Sequence, residues 1–173
     1  MAAAFAVRRA TPADASLMAV IHAHCFHQPS DRPWDEAAMA QFLAGPSVLC
    51  LIGSVIDTGD APAGLLIARR AADEAELLTL GVTPAVRRAG LGRALLTRAV
   101  DDLRSSGARL LFLEVDEDNA PALALYGSLG AEPVGRRPGY YGSGADATIF
   151  RLALSDSRSD DGPIADEPRE NQR

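Results

Sequence analysis

The stretch "VRRAGLGRALL", Val86 to Leu96, decides the fold of this chain. It follows an apolar run typical of a buried strand, "AELLTLGV", and leads into a segment with apolar residues at helical spacing. A strand that enters a helix through glycines, here Gly90 and Gly92, directs several backbone N–H groups and the positive helix end toward one point. The junction therefore predicts an anion site, with Arg87 and Arg88 adding positive charge. A tight turn with solvated arginines fits the same spacing.

The segments after the junction indicate a crossover between parallel strands. The helix carries a wide apolar stripe, formed by Leu91, Leu95, Leu96, Ala99, Val100 and Leu103. Gly107 stands where a left-handed helix terminator is expected. The run "RLLFLEV" that follows is apolar almost throughout, which predicts a strand covered on both faces. A helix of this length joining two such strands favours a parallel pair.

Strands and helices alternate along the rest of the chain. "FAVRRA" predicts a first strand, and Thr11, Pro12 and Asp14 form the start signal of a first helix. A second helix is predicted over Trp34 to Leu43, and "SVLCLIG" and "AGLLIARRA" predict two strands. The last predicted elements are a helix at Ala120 to Ser128 and strands at Pro133 to Arg136 and Ala147 to Leu154. The fold class is α/β (α+β), a mixed sheet of about six to seven strands with about four helices.

Composition limits the domain count and the partners. The chain has 173 residues, 47% apolar and 23% charged, which predicts one domain over residues 1–154. Residues 155–173 carry six acids against three arginines and predict a disordered tail. A net charge of −6 argues against nucleic acid as a partner. The chain contains no lysine, which excludes lysine Schiff-base chemistry.

The cysteines, histidines and hydropathy favour a metal-free protein of the reducing cytoplasm. Cys25 and Cys50 have no CxxC spacing and do not suggest a disulfide scaffold. His22, Cys25 and His27 lie close together in "HAHCFH", but no fourth ligand follows at structural-zinc spacing. No uncharged apolar run is long enough to span a bilayer, so no membrane association is expected. The sequence does not indicate an oligomeric state.

Two well-known nucleotide motifs do not fit the glycine junction. A Walker loop requires GxxxxGK, and the chain has no lysine. The dinucleotide pattern GxGxxG would require a small residue at Leu95, which belongs to the apolar stripe.

The pattern Arg87-x-x-Gly90-x-Gly92 instead resembles the Q/R-x-x-G-x-G/A acyl-CoA loop of the GNAT N-acetyltransferase superfamily, and the resemblance extends from Thr11 to Leu154. It implies that the loop binds the pyrophosphate of acetyl-CoA and that the preceding strand offers backbone groups to the pantetheine arm. The cofactor-binding residues so implied are Leu80, Gly81, Val82, Arg87, Arg88, Ala89, Gly90, Leu91, Gly92, Arg93, Asn119 and Tyr126.

Two residues further along suggest catalysis. Glu114 is a charge within an apolar strand, and an unpaired buried carboxylate is costly, so it lies at a solvated strand end or has a chemical role. Tyr126 on the following helix is by itself consistent with a core aromatic residue.

The string "LEVDEDNAPALALYGSLGAEPVGRRPGYY" resembles bacterial ribosomal-protein alanine N-acetyltransferases of the RimI type. The resemblance implies that Glu114 is the general base and Tyr126 the general acid. It further implies that Trp34, Tyr140 and Tyr141 flank the acceptor, which is the N-terminus of a ribosomal protein beginning with Ala. Two alternatives remain: a GNAT enzyme that acetylates a small amine or a drug, and a non-catalytic acyl-CoA-binding domain.

Overall fold

The structure, a computed structural model, describes residues 4–27, 32–140, 144 and 146–154. Tyr141 and the predicted tail, residues 155–173, lie outside the described residues. The helices and strands, in chain order, are β1 Phe5–Arg9, α1 Ala15–Cys25, α2 Glu36–Ala44, β2 Val48–Val55, β3 Ala61–Ala71, β4 Glu74–Val82, α3 Leu91–Ser105, β5 Leu110–Asp116, α4 Ala120–Ser128, β6 Glu132–Arg137 and β7 Ala147–Ala153.

The seven strands form one mixed sheet in the order β1-β2-β3-β4-β5-β7-β6. Neighbouring strands are antiparallel except β4 and β5, which are parallel and are joined by α3. The predicted fold class and the predicted crossover are therefore confirmed.

Two apolar clusters cover the two faces of the sheet. The first lies under α3 and α4 and includes the predicted stripe of α3, with Leu91, Leu95 and Ala99 almost fully buried. The second lies under α1 and α2 and includes Met18 and Met39. Because α1 and α2 pack mainly on β2, β3 and β4, the opposite edge of this second face is open.

The helix starts follow local capping chemistry. The Thr11 backbone N–H donates to the Asp14 carboxylate at 2.7 Å, but the first turn, Pro12–Asp14, is a 3-10 turn and α1 begins at Ala15. The helix predicted from Trp34 begins two positions later, because Asp35 is its N-cap and accepts from the Ala38 N–H at 2.9 Å.

The prediction that β5 is covered on both faces is wrong. Leu111, Leu113 and Val115 are buried, whereas Leu110, Phe112 and Glu114 on the other face are only half-buried. This half-buried face borders an open groove of about 430 Å³, which the apolar run alone does not show.

Candidate active site

Strands β4 and β5 separate in the middle of the sheet. Their parallel pairing joins Glu74–Leu77 to Leu110–Leu113. The remainders of the two strands, Leu78–Val82 and Glu114–Asp116, lie beyond this pairing. The strand pairing of the sheet is thus interrupted here, and this gap is bordered by β4 on one side and by Glu114 on the other.

The half of β4 that borders the gap is apolar and accessible. Leu78, Thr79, Leu80 and Val82 are half-buried although β4 is the central strand. The register with β3 passes from Ile67–Thr79 to Ala68–Leu77, which leaves Leu78 as an extra residue, a β-bulge. A central strand with accessible edge atoms is suited to pair with an extended, amide-containing ligand.

The glycine junction forms the entrance to α3 at the end of β4. Gly90 is the N-cap of α3 with φ of 110°, and Arg88 two residues earlier has φ of 63°. No described side chain caps the helix, so the first-turn N–H groups, which have no intrahelical partner, are left for a ligand. Gly92 is half-buried and leaves room beside Val82 and Leu125. This backbone geometry fits the predicted anion site.

The arginines of the junction behave differently from one another. Arg87 donates through Nε to the Val82 carbonyl at 3.1 Å and through a terminal nitrogen to the Cys25 carbonyl at 3.0 Å. It therefore ties the loop to β4 and α1 rather than standing free in solvent. Arg93 donates to the Ser128 hydroxyl at 2.6 Å and so joins α3 to α4. Arg88 and Ala89 are exposed at the mouth of the loop.

The other residues that the resemblance assigns to cofactor binding differ in their burial and contacts. Leu80 and Val82 also pack against the cluster under α3, and Leu91 is almost fully buried, which leaves its backbone as the accessible part. Gly81 is buried against α1. Asn119 is the N-cap of α4 and accepts from the Ala122 N–H at 3.2 Å.

Glu114 lies where β5 leaves its pairing with β4. Its side chain is 20% exposed, and a terminal nitrogen of Arg137 is 3.0 Å from its Oε1. Both residues line the open groove, together with Arg69, Glu74, Glu76, Phe112 and Ile149. Glu114 is partly exposed but lies within β5 rather than at its end, and its position at the groove is compatible with a chemical role.

Tyr126 is buried on α4 and packs edge-on against Phe150, with ring centroids 6.2 Å apart. It belongs to the cluster under α3 and α4, together with Leu113 and Val115. Because successive residues of a strand point to opposite faces, Glu114 points to the other face of the sheet. The β4–β5 pairing ends at Leu113, immediately before Glu114.

The structure describes two of the three aromatic residues that the resemblance places near the acceptor. Trp34 donates from its backbone N–H to Nδ1 of His22 at 3.2 Å, and its ring stacks on His22 with centroids 5.0 Å apart. Trp34 is therefore held against α1 just before α2 begins. Tyr140 is 51% exposed at the end of β6, where the Arg137 guanidinium carbon lies 5.4 Å from its ring centroid. Tyr141 lies outside the described residues.

Comparison with known proteins identifies the family. Residues 17–131 match the acetyltransferase (GNAT) family. The chain belongs to the GNAT acetyltransferase family. The GNAT match includes α3, β5 and α4, and therefore the loop, Glu114 and Tyr126.

Two relatives are similar to this chain in sequence, and one solved structure is similar in fold. The chain is 39% identical over 148 residues to the N-alpha-acetyltransferase RimI of Mycobacterium tuberculosis, covering 84% of this chain and 90% of that protein. It is 40% identical over 144 residues to an uncharacterised Mycobacterium leprae protein, of which it spans 38%. The crystal structure of the ribosomal-protein-S18-alanine N-acetyltransferase from Escherichia coli superposes with a TM-score of 0.77 at 32% identity, covering 91% and 98% of the two chains.

Sequence reasoning missed Arg137 as a residue of the site. It lies in "GRRPGYY", where the resemblance concerns the tyrosines, and no local pattern shows that β6 is placed two strands from β5.

Within the described residues no group of three potential ligands could hold a metal ion, and no helix is long and apolar enough to cross a membrane. Of the residues considered as metal ligands, Cys25 belongs to the second apolar cluster, and His22 is buried between the rings of Phe26 and Trp34.

Proposed function

We propose that this chain transfers an acetyl group from acetyl-CoA to the N-terminal α-amine of a protein, and that the acceptor is a cytoplasmic ribosomal protein beginning with Ala. The observation that carries the proposal is the gap between β4 and β5, which lies between the uncapped N-terminus of α3 and Glu114. The activities of the relatives from M. tuberculosis and E. coli support the choice of an α-amine acceptor.

The residues at the gap fit an acyl-CoA. The exposed Arg88 and the free N–H groups at Gly90 and the first turn of α3 suit a diphosphate, and the accessible edge of β4 suits an amide-containing chain. When bound, acetyl-CoA supplies a thioester carbonyl as the electrophile.

Glu114 is assigned as the general base. An α-amine has a pKa near 8, so at neutral pH most acceptor molecules must lose a proton before the nitrogen can attack. The Glu114 carboxylate accepts that proton, directly or through a water molecule. The nitrogen then bonds to the carbonyl carbon, and the carbon–sulfur bond breaks.

Tyr126 is assigned as the general acid. Its phenolic hydroxyl donates a proton to the departing sulfur, and the second proton, which the nitrogen loses as it becomes an amide, passes through solvent to restore the Tyr126 hydroxyl. The proton held by Glu114 returns to solvent when the products leave. No covalent intermediate with the protein is required, so the burial of both cysteines, Cys25 and Cys50, is no obstacle to the reaction.

The test is mass spectrometry of a peptide library incubated with acetyl-CoA and the full chain. We expect acetylation of the α-amine of peptides beginning with Ala, and weak acetylation of internal lysines, whose pKa of about 10.4 leaves little free amine. Glu114→Gln is the matched control and should lose on the order of 10²- to 10⁴-fold in turnover while binding acetyl-CoA normally.

Other outcomes would contradict the proposal. Faster acetylation of small amines than of Ala peptides would show that the chain is a GNAT enzyme for small molecules. Binding of acetyl-CoA without transfer to any acceptor would show that it is a non-catalytic binding domain. Turnover of Glu114→Gln near that of the wild type would remove Glu114 from the mechanism.

A further inference from the structure

Arg137 shares the open face of the sheet with Glu114. In the register, Arg137 pairs with Ala147 on β7, and Ala147 pairs with Asp116 on β5. Since side chains alternate along a strand, Glu114, two residues before Asp116, points to the same face as Arg137. The two residues are on strands separated by β7, so the Arg137 side chain must cross β7 to reach the carboxylate.

Two residues of β7 lie on this face between the partners. Ala147, opposite Arg137, is small and fully buried, and Ile149, opposite Glu114, lines the groove with both partners. At the far end, a terminal nitrogen of Arg137 lies 3.0 Å from Oε1 of Glu114, and the guanidinium carbon is 5.4 Å from the ring centroid of Tyr140. Arg137 is therefore held from two sides, at the carboxylate and at the aromatic ring.

The end of β6 that carries Arg137 is itself fixed by other contacts. The neighbouring Arg136 pairs with Glu117 at 2.6 Å and with Asp146 at 2.9 Å. The Asp146 carboxylate also accepts from the Gly139 N–H at 2.7 Å. These contacts join β6 to the segment after β5 and to the start of β7, so the position of Arg137 relative to β5 is defined.

We propose that Arg137 is a positioning residue for the reaction: it holds the carboxylate of Glu114 in the orientation that accepts the proton of the acceptor amine. The inference rests on the proposed function. A guanidinium group does not release a proton in proteins, so Arg137 takes no part in proton transfer itself. An unrestrained glutamate samples several rotamers, and a base that is misplaced by about 1 Å can lose on the order of 10²-fold in rate.

The same face provides a matched control. Arg151 on β7 is also exposed and also paired, with Glu132 at 3.5 Å, but it has no ion pair with Glu114 among the described residues. Both arginine side chains are solvent-exposed, and ion pairs made by exposed side chains contribute little to stability. Replacement of either arginine by glutamine should therefore leave the melting temperature within about 2 °C of the wild type.

The test is a double-mutant cycle on steady-state acetylation of an Ala-initiated peptide by the full chain. Arg137→Gln should lower kcat on the order of 10-fold without changing KM for acetyl-CoA, and Arg137→Lys should recover part of the loss. In the Glu114→Gln background, Arg137→Gln should change kcat less than about twofold, because the group it positions is no longer a base. Arg151→Gln should match the wild type.

Each remaining outcome overturns the inference. Equal losses from Arg137→Gln in both backgrounds would show that Arg137 acts independently of Glu114. A wild-type kcat in Arg137→Gln would show that the ion pair has no role in turnover. Absence of wild-type turnover on every peptide would overturn the proposed function and this inference with it, whereas turnover with additive losses would overturn the inference alone.

Discussion

Gly90 is the residue on which the geometry of the glycine loop before α3 depends. Its φ of 110° lies in a region that residues with a Cβ rarely adopt, and a Cβ there would also approach Phe5 to 3.4 Å. This backbone conformation places Gly90 as the N-cap of α3, whose first-turn N–H groups receive no side-chain cap. The positive φ and the close approach of the proposed diphosphate both favour glycine at this position.

We expect Gly90→Val to weaken CoA binding by at least about tenfold, because the added side chain distorts the loop and occupies the approach to its N–H groups. Isothermal titration calorimetry measures the affinity. Gly107→Val is the matched control, since Gly107 follows the other end of the same helix with φ of 95°, and a Cβ added there would have no described atom within 4 Å. Equal affinities in the two folded variants would exclude the loop as the phosphate site.

At the residue scale, positions with a local signal could be predicted and positions that depend on distant contacts could not. Gly90 and Gly107 follow from backbone demands that the sequence displays directly. The sequence suggests that Arg87 provides charge for a diphosphate, but its side chain donates to the carbonyls of Val82 and Cys25. The partner at Cys25 is 62 residues away in the chain, and no local pattern indicates it.

At the element scale, the sequence predicts the strands and helices well because each has its own periodicity or cap. The open groove beside β5 could not be predicted, since a run such as "RLLFLEV" is apolar whether one or both faces are covered. The gap between β4 and β5 likewise depends on how two strands separated by α3 diverge. The RimI-type resemblance, rather than periodicity, points to Glu114 and Tyr126 at this place.

The packing of α1 on β4 depends on Gly81. A Cβ at Gly81 would lie 2.9 Å from the Cβ of Cys25 and 3.1 Å from the ring of Phe26. The end of α1 therefore touches the β4 backbone directly. Since Arg87 also donates to the carbonyl of Cys25, the end of α1, the end of β4 and the glycine loop meet at this contact.

We expect Gly81→Ala to destabilise the protein by about 1–3 kcal/mol, the usual cost of overpacking. Thermal unfolding followed by circular dichroism measures the change. Gly92→Ala is the control of equal size, because a Cβ at Gly92 would meet its nearest neighbours, Val82 and Leu125, at 3.7 and 3.8 Å. A melting temperature that falls equally in both variants would contradict the proposed contact between α1 and β4.

At the scale of the whole molecule, the two cysteines report on the layer formed by α1 and α2. Cys25 on α1 and Cys50 on β2 belong to the same apolar cluster, and each is 6% exposed. Burial raises the pKa of the Cys25 thiol to about 11, partly offset by the nearby Arg87, and burial raises the pKa of the Cys50 thiol to about 11 as well. Both thiols are therefore protonated and inaccessible at neutral pH.

We expect neither thiol to react with a disulfide reagent within minutes at pH 8 in the folded protein, and both to react in guanidinium chloride, because only the thiolate attacks. The pH dependence has a defined sign. An unfolded cysteine titrates near pH 8.5, below the folded value, so the contribution of these thiols to stability is complete below about pH 8.5 and falls as the pH rises toward 11. The double variant Cys25→Ala with Cys50→Ala should lose part of this alkaline decline, as measured by unfolding midpoints at pH 7 and 10. Rapid reaction of the native protein with an unchanged circular dichroism spectrum would show instead that α1 and α2 separate from the sheet without global unfolding.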